Sequence, residues 1–100
     1  MAIVEFTIVP LGTGSTSLSA YVAACEKELR DHSAGLHYEL TAMGTIIEGD
    51  LDQILKLIRR LHEIPFQEGA GRVSTSIKID DRRDKDSSIA QKIKSVEDKL

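Results

Sequence analysis

Two carboxylates, Glu39 and Glu48, stand on the two arms of a predicted β-hairpin and are the residues with most capacity for chemistry. Like charges held close together raise the pKa of one carboxyl group, so the pair suits general acid–base catalysis. The same groups can instead bind a ligand, or serve as ordinary structural or solvated residues. Acidic pairs mark functional sites only statistically, so all three interpretations stay open on this pattern alone.

A second candidate is the turn Gly12-Thr13-Gly14-Ser15, which follows one strand and precedes a helix. Backbone N–H groups at such a position can hold an anion, which makes Gly14 and Ser15 possible anion-binding residues. The turn lacks the lysine of a P-loop and the third glycine of a dinucleotide fingerprint. Capping of the following helix by its hydroxyl groups is the better supported role.

The three histidines, His32, His37 and His62, show no spacing typical of a metal site, and we expect no metal, no cofactor and no catalytic residue. Cys25 falls on the apolar stripe of a predicted helix and is expected to pack as a small hydrophobic residue. A single cysteine excludes an intrachain disulfide and agrees with a reducing compartment.

The composition limits the class of protein. One hundred residues suit a single domain, 1–100, and four aromatic residues without tryptophan predict an aliphatic core. Thirteen basic and sixteen acidic residues give a net charge of −3, which argues against a nucleic-acid partner. The N-terminal apolar stretch contains Glu5 and no preceding basic residues, so it predicts neither a signal peptide nor a membrane span. We therefore expect a cytoplasmic protein that does not bind membranes.

Hydrophobic periodicity predicts four strands and three helices. The strands are predicted at residues 3–9, 36–42, 45–49 and 73–79. The first helix carries an apolar stripe from Leu18 to Leu29, including Tyr21 and Val22, and stops at Gly35. The second begins at its cap Asp50 and is ended by Pro65 and the Gly69/Gly71 pair. A short C-terminal helix, capped by Ser87 or Ser88, carries the stripe Ile89, Ile93, Val96 and Leu100.

This order of elements predicts an α+β fold, a ferredoxin-like βαββαβ sandwich with an additional C-terminal helix. Phe6 faces the helices in this register. The opposite face of the sheet, called here the open face, would carry hydroxyl and charged groups. Its predicted members are Glu5, Thr7, His37, Glu39, Thr41, Ser74, Ser76 and Lys78, with Ile46 and Glu48 if Ile47 points to the helices.

Three segments in this order resemble the thiamine-binding protein family, small microbial proteins long classed as uncharacterised. They are VPLGTGS at residues 9–15, YELTAMGTIIEGD at residues 38–50 and IKIDDRR at residues 77–83. The resemblance covers nearly the whole chain. It implies a subunit that pairs through its open face, usually in a tetramer built as a dimer of dimers, and includes the charged segment 80–86 in the subunit contact.

The resemblance further implies non-catalytic binding of thiamine or a related pyrimidine or thiamine-phosphate compound near the subunit interface. Glu39 and Glu48 would then offset the thiazolium charge, while hydroxyl groups supply hydrogen bonds. The candidate hydrogen-bonding residues are Thr7, Thr41, Thr45, Ser74 and Ser76. Thr45 would point to the other face if the hairpin register slips by one residue.

Other functions on this fold need residues that the chain lacks. The first loop has no arginine for an acylphosphatase, a single cysteine excludes a CxxC metal chaperone, and Phe6 is not exposed for RNA stacking. The alternative that stays open is a small-molecule-sensing or purely oligomeric regulatory module that binds a different ligand such as an amino acid.

Overall fold

The computed structural model describes residues 1–12, 14, 19–33, 35–85 and 88–100. Within them it contains four strands and three helices, in the order predicted from periodicity. Their bounds are β1 Ala2–Leu11, α1 Ser19–His32, β2 His37–Thr41, β3 Gly44–Gly49, α2 Leu51–Gln67, β4 Arg72–Asp81 and α3 Ile89–Glu97. Leu18, predicted to open the first apolar stripe, lies outside the described residues.

The four strands form one antiparallel sheet in the order β2-β3-β1-β4. Ile47 of β3 lies opposite Val4 of β1 and Tyr38 of β2, and Val4 also lies opposite Ile79 of β4. Because side chains alternate along a strand, these four residues share the face that α1 and α2 cover. The predicted register and the α+β ferredoxin-like fold are confirmed.

The core between the sheet and the helices is aliphatic, as the composition predicts. Its members come from β1, β3 and both covering helices, and they are Val4, Phe6, Leu29, Ile47, Ile54, Leu57, Ile58 and Leu61. Helix α2 supplies half of this set because its apolar residues recur at helical spacing. Its start is fixed by Asp50, whose carboxylate accepts a hydrogen bond from the backbone N–H of Gln53 at 3.1 Å. The predicted cap is thereby confirmed.

The prediction that Pro65 ends the second helix is wrong. Pro65 lies inside α2 and is fully buried, and the helix continues to Gln67. Proline has no N–H group to donate to the carbonyl four residues earlier, here that of Leu61. The thiol of Cys25 on α1 donates to this carbonyl oxygen at 3.9 Å. A donor from a neighbouring helix thus offsets part of the cost of an internal proline.

Helix α3 lies at one end of the open face. Its cap is Ser88, whose hydroxyl group accepts a hydrogen bond from the N–H of Gln91 at 3.1 Å. Of the two predicted caps, Ser87 and Ser88, the structure therefore has Ser88. Of the predicted apolar stripe, only Ile89 is buried, and Ile93 and Val96 are more than half exposed. The helix ends at Glu97, so Leu100 lies beyond it. Burial is limited to Ile89 because only the first turn of α3 reaches the sheet.

Gly44, the first residue of β3, is packed too closely to accept a side chain. A Cβ atom there would lie 2.9 Å from the carbonyl oxygen of Phe6 and 2.9 Å from Cγ2 of Thr7. We expect Gly44→Ala to lower the free energy of unfolding by about 1–3 kcal/mol, because β1 and β3 must separate. Urea denaturation measures the change.

Gly71→Ala is the matched control, because no atom lies within 4 Å of a Cβ placed at that glycine. It should change the stability by no more than about 0.5 kcal/mol. Equal stability of the two variants would contradict the close approach of β1 and β3 at Gly44.

Among the described residues, none of the helices is both long and apolar enough to cross a membrane.

Candidate functional site

The sheet register places six of the seven predicted ligand-binding residues on the open face. Glu39 and Glu48 lie on β2 and β3, and the hydroxyl groups lie on three strands. These hydroxyl residues are Thr7, Thr41, Ser74 and Ser76. Thr45 is the exception, because it pairs with the buried Phe6 and so belongs to the helix-covered face. The residues predicted on the open face therefore lie there, and Thr45 is the predicted ligand-binding residue that does not.

The open face is mostly polar in its middle rows. Thr7 lies opposite Ser76, and Glu5 lies opposite Lys78, so opposite charges face each other across β1 and β4. Ile46 lies between Glu39 and Glu5 in the same cross-strand row. A hydroxyl-rich surface with one isoleucine at its centre can pair with another sheet. Its depression beside Glu5, Thr7, Ser76 and Lys78 has a volume of about 110 Å³, below the lower limit of about 300 Å³ that is typical of small-molecule sites.

Glu48 is committed to α3. Its carboxylate Oε2 accepts a hydrogen bond of 2.7 Å from the backbone N–H of Ile89, the first residue of that helix. Negative charge at a helix N-terminus is stabilising. An ion pair between Lys92 and Asp80 fastens the same helix to β4. Glu48 therefore has a structural role, and ligand binding by this residue stays a prediction. The N–H of Ile89 would compete with a ligand for one of its two oxygen atoms.

Thr41 and Glu39 also have local partners. The hydroxyl group of Thr41 donates to the carbonyl of Gly44 at 2.8 Å and accepts from the N–H groups of Met43 and Gly44, so it organises the hairpin turn. The carboxylate of Glu39 lies 3.3 Å from the ring of His37. Both side chains are exposed, but the turn already uses the one donor and both acceptor sites of the Thr41 hydroxyl group, so only the Glu39 carboxylate keeps further hydrogen-bonding capacity.

The concave feature of this region lies on the helix side, between the start of α1 and the tip of the β2–β3 hairpin. It is a hollow of about 330 Å³, within the range of about 300–1,000 Å³ that is typical of small-molecule sites. Its residues come from β1, α1, the hairpin and α2. They are Phe6, Thr7, Ile8, Val9, Tyr21, Val22, Cys25, Glu26, Leu29, Leu40, Thr41, Ala42, Met43, Gly44, Thr45 and Leu61. This set is called the hollow below.

Thr45, Thr7 and Thr41 are the predicted ligand-binding residues that the structure brings to the hollow. Thr7 and Thr41 belong to the open face by register, so the two surfaces meet at the hairpin end of the sheet. The other four predicted residues, Glu39, Glu48, Ser74 and Ser76, do not border the hollow. They share the open face.

Sequence reasoning missed the contribution of α1 to this region. Val22, predicted on the buried stripe, is 57% exposed because the hollow lies beneath it in place of packed side chains. Glu26, which is not part of the predicted apolar stripe, borders the hollow and is half-buried. The available signal was its position one helical turn after Val22, on the edge of the apolar stripe.

Cys25 is half-buried at the same place, and burial raises the pKa of its thiol. The neutral thiol donates to the carbonyl of Leu61, which is itself a hollow residue. Cys25 therefore behaves as a packed residue. Because it borders the hollow, the reactivity of its thiol depends on whether the hollow is open or filled.

The remaining candidates lie elsewhere. Gly14 is exposed with a φ of 74°, a conformation that suits glycine, while Ser15 lies outside the described residues. His62 shares a hydrogen bond of 2.7 Å with Thr75, and His32 pairs with Glu28. These two histidines thus have structural partners.

The charged segment after β4 is held by local ion pairs. Arg82 binds Asp84 through two hydrogen bonds of 2.6 and 2.9 Å, and this contact lowers the pKa of Asp84 to about 2. Arg83 likewise pairs with Asp81 and lowers the pKa of that carboxyl group. The side chains of Arg82, Arg83 and Asp84 are exposed, as expected for a solvated loop.

Comparison with known proteins gives relatives over nearly the full length. The chain is 49% identical over 98 residues to the UPF0045 protein YqgV of Bacillus subtilis, covering 96% of this chain and 94% of YqgV. It is 45% identical over 101 residues to a UPF0045 protein of Methanothermobacter thermautotrophicus, with 100% of both chains covered.

Solved structures share the fold. A protein of Methanocaldococcus jannaschii, described as hypothetical, superposes with a TM-score of 0.83 at 38% identity, covering 96% of this chain and 95% of that one. A Thermotoga maritima protein, provisionally assigned to thiamine biosynthesis or salvage, superposes with a TM-score of 0.76 at 20% identity. The superposition covers 95% of this chain and 97% of the Thermotoga maritima chain.

The model of one family matches residues 4–97, and its description is thiamine-binding protein. The matched residues run from Val4, within β1, to Glu97, the last residue of α3. The chain belongs to the thiamine-binding protein family.

Proposed function

We propose that this protein binds thiamine or a related pyrimidine or thiamine-phosphate compound in the hollow, at the edge of a subunit interface, without converting it chemically. The observation that carries the proposal is the hollow itself. It is concave, mostly apolar and bordered by a few polar groups, which is the usual character of a small-molecule site. Membership of the family supplies the class of ligand.

The polar groups of the hollow suit both rings of thiamine. The hydroxyl group of Thr45 can accept from an exocyclic amine or donate to a pyrimidine nitrogen. Tyr21 provides an aromatic surface, and a cationic ring is attracted to such a face. The carboxylate of Glu26 adds a negative charge at the border.

The interface part of the proposal rests on where the hollow meets the open face. Thr7 and Thr41 border the hollow and belong to the open face, so a second chain seated on that face would close the hollow at its hairpin end. The centre of the face carries Ile46, half-buried in the single chain, with polar rows on either side. We propose a homo-oligomer, built as a dimer of dimers.

The direct test is calorimetric titration of thiamine into the purified protein, followed by a long incubation in which the thiamine concentration is measured. Saturable binding with all thiamine recovered supports the proposal. Loss of thiamine during incubation contradicts the non-catalytic part. Absence of binding at millimolar thiamine, with a thermal shift produced by an amino acid, would favour a regulatory module.

Cys25 offers an independent prediction for the location of the site. Burial raises the pKa of its thiol, so less thiolate is present at pH 7–8 than on an exposed cysteine. We expect slow alkylation by iodoacetamide whose rate increases with pH, and a further decrease of about fivefold or more when thiamine saturates the protein. Mass spectrometry of the intact protein measures the rate.

Glutathione in free solution is the control for the reagent, since thiamine should not change its alkylation. An unchanged rate for Cys25 at saturating thiamine would place the ligand away from the hollow.

A further inference from the structure

A second concave surface lies between the end of α1 and the first half of α2. Its volume is about 480 Å³, which is also within the range of about 300–1,000 Å³ that is typical of small-molecule sites. It shares no residue with the hollow. Its residues are His32, Leu36, Gln53, Lys56, Leu57 and Arg60. This set is called the groove below.

The base of the groove is apolar and attached to the core. Leu57 is 5% exposed, and Leu36 packs against the buried core residues. Leu36 also lies directly against Gly49, where a Cβ atom would collide with its side chain. The two leucines are therefore held in place by packing, and the groove lies open above them.

The rim of the groove is positively charged. Four groove residues share one face of α2, because they are three or four residues apart: Gln53, Lys56, Leu57 and Arg60. None of the groove residues is acidic, and Lys56 and Arg60 are charged at neutral pH. The groove thus presents two cations above an apolar base, in a protein whose net charge is −3.

Both cations can take a further partner. Lys56 is exposed and has no hydrogen bond or ion pair within the described residues. The Nε atom of Arg60 lies 3.3 Å from the carboxylate of Glu28, which leaves the terminal nitrogen atoms of the guanidinium group for a ligand. Glu28 also lies 3.1 Å from His32 and does not border the groove. An anion in the groove would therefore meet a positioned guanidinium group and an unpaired ammonium group.

We propose that the groove is a second ligand site, which binds a small carboxylic acid with an aliphatic body. The carboxylate accepts hydrogen bonds from Lys56 and Arg60, and the flat guanidinium group matches two carboxylate oxygen atoms. The aliphatic body covers Leu36 and Leu57. Exposed ion pairs contribute little, so the dissociation constant should be on the order of 1 mM. The site is separate from the hollow and does not depend on the proposed function.

The experiment is a heteronuclear NMR titration of the full chain with 4-methylpentanoate, with its neutral amide 4-methylpentanamide and with inorganic phosphate. We expect 4-methylpentanoate to shift the backbone amide signals of Gln53 and Leu57 saturably, and to leave that of Thr45 in the hollow unchanged. The neutral amide should bind at least about tenfold more weakly, because it carries no charge. Phosphate should bind about fivefold more weakly or less, because it has no apolar body.

Lys56→Gln should weaken the binding of 4-methylpentanoate about fivefold, because it removes one of the two cations. Lys27→Gln is the matched control, since Lys27 is an exposed lysine of α1 that does not border the groove. It alters the net charge equally and should leave the affinity unchanged.

Four results would overturn the second site: no saturable shift at Gln53 and Leu57, equal binding of the neutral amide, tighter binding of phosphate, or equal affinity in the two lysine variants. Thiamine titration of the same samples keeps the two proposals apart. Loss of one kind of binding leaves the other proposal standing.

Discussion

Thr45→Phe is expected to abolish thiamine binding, with the dissociation constant raised by more than about a hundredfold. Thr45 lies on the helix-covered side of β3 and borders the hollow. A phenyl ring at this position occupies the volume that the ligand requires. The fold should tolerate the change, because Thr45 borders the open space of the hollow, which the added ring can enter. Calorimetric titration measures the affinity, and urea denaturation measures the stability.

Gln67→Phe is the control for the added aromatic group, because Gln67 is exposed at the end of α2 and does not border the hollow. It should bind thiamine as the unmodified protein does. If Thr45→Phe retained full affinity while remaining folded, the ligand would have to bind outside the hollow.

The largest effect on stability is expected for Ile47→Ala. Ile47 is 0% exposed and lies in β3, one of the two central strands, with Val4 and Tyr38 opposite it on the neighbouring strands. Truncating a buried isoleucine removes its apolar contacts and leaves a cavity, which typically costs about 2–5 kcal/mol. We expect a lower urea midpoint with an unchanged slope, measured at one fixed protein concentration because association would also contribute.

Ile46→Ala is the matched control, since it removes the same atoms from the adjacent residue on the opposite face. Ile46 is half-buried in the single chain, so its loss should cost about half as much or less. Equal losses would contradict the sheet register. The same variant also tests the proposed interface, because weaker association of Ile46→Ala by light scattering supports pairing through the open face.

Much of the fold was predictable because local signals agree with one another. Alternation placed Ile47 and Phe6 towards the helices, Asp50 identified the start of one helix, and the pair Ser87 and Ser88, of which Ser88 is the cap, identified another. Each of these signals acts over a few residues and needs no knowledge of tertiary contacts. The order of strands then followed from the connection rules for such units.

Pro65 was misjudged for the opposite reason. Its effect on α2 depends on Cys25, a residue of another helix whose thiol reaches the carbonyl that the proline leaves without an N–H donor. A rule based on sequence neighbours has no access to such a partner. Ile77 and Ile79 also depend on tertiary packing: both are exposed, because β4 lies at the sheet edge, where α2 covers it only in part.

The candidate site was predicted in part. The hydroxyl and acidic residues of the open face follow from alternation, so their placement was accessible. The hollow was not, because it is an unfilled space between α1 and a hairpin, and periodicity shows only which residues point inwards. Glu26 and Tyr21 are candidate site residues because they border that space, and neither belongs to a sequence motif that would identify it.

The position of β4 affects how the protein behaves when concentrated. Within the described part of the chain, β4 pairs with β1 on one side only, and its outer backbone groups run for 10 residues. Such an edge is a template on which further strands can polymerise. Here Arg72 precedes five uncharged residues, and Lys78, Asp80 and Asp81 follow. Charged residues that flank an uncharged strand disfavour its pairing with further strands, so we expect the β4 edge to resist growth into fibres. The middle of β4 keeps the residue types that a strand favours.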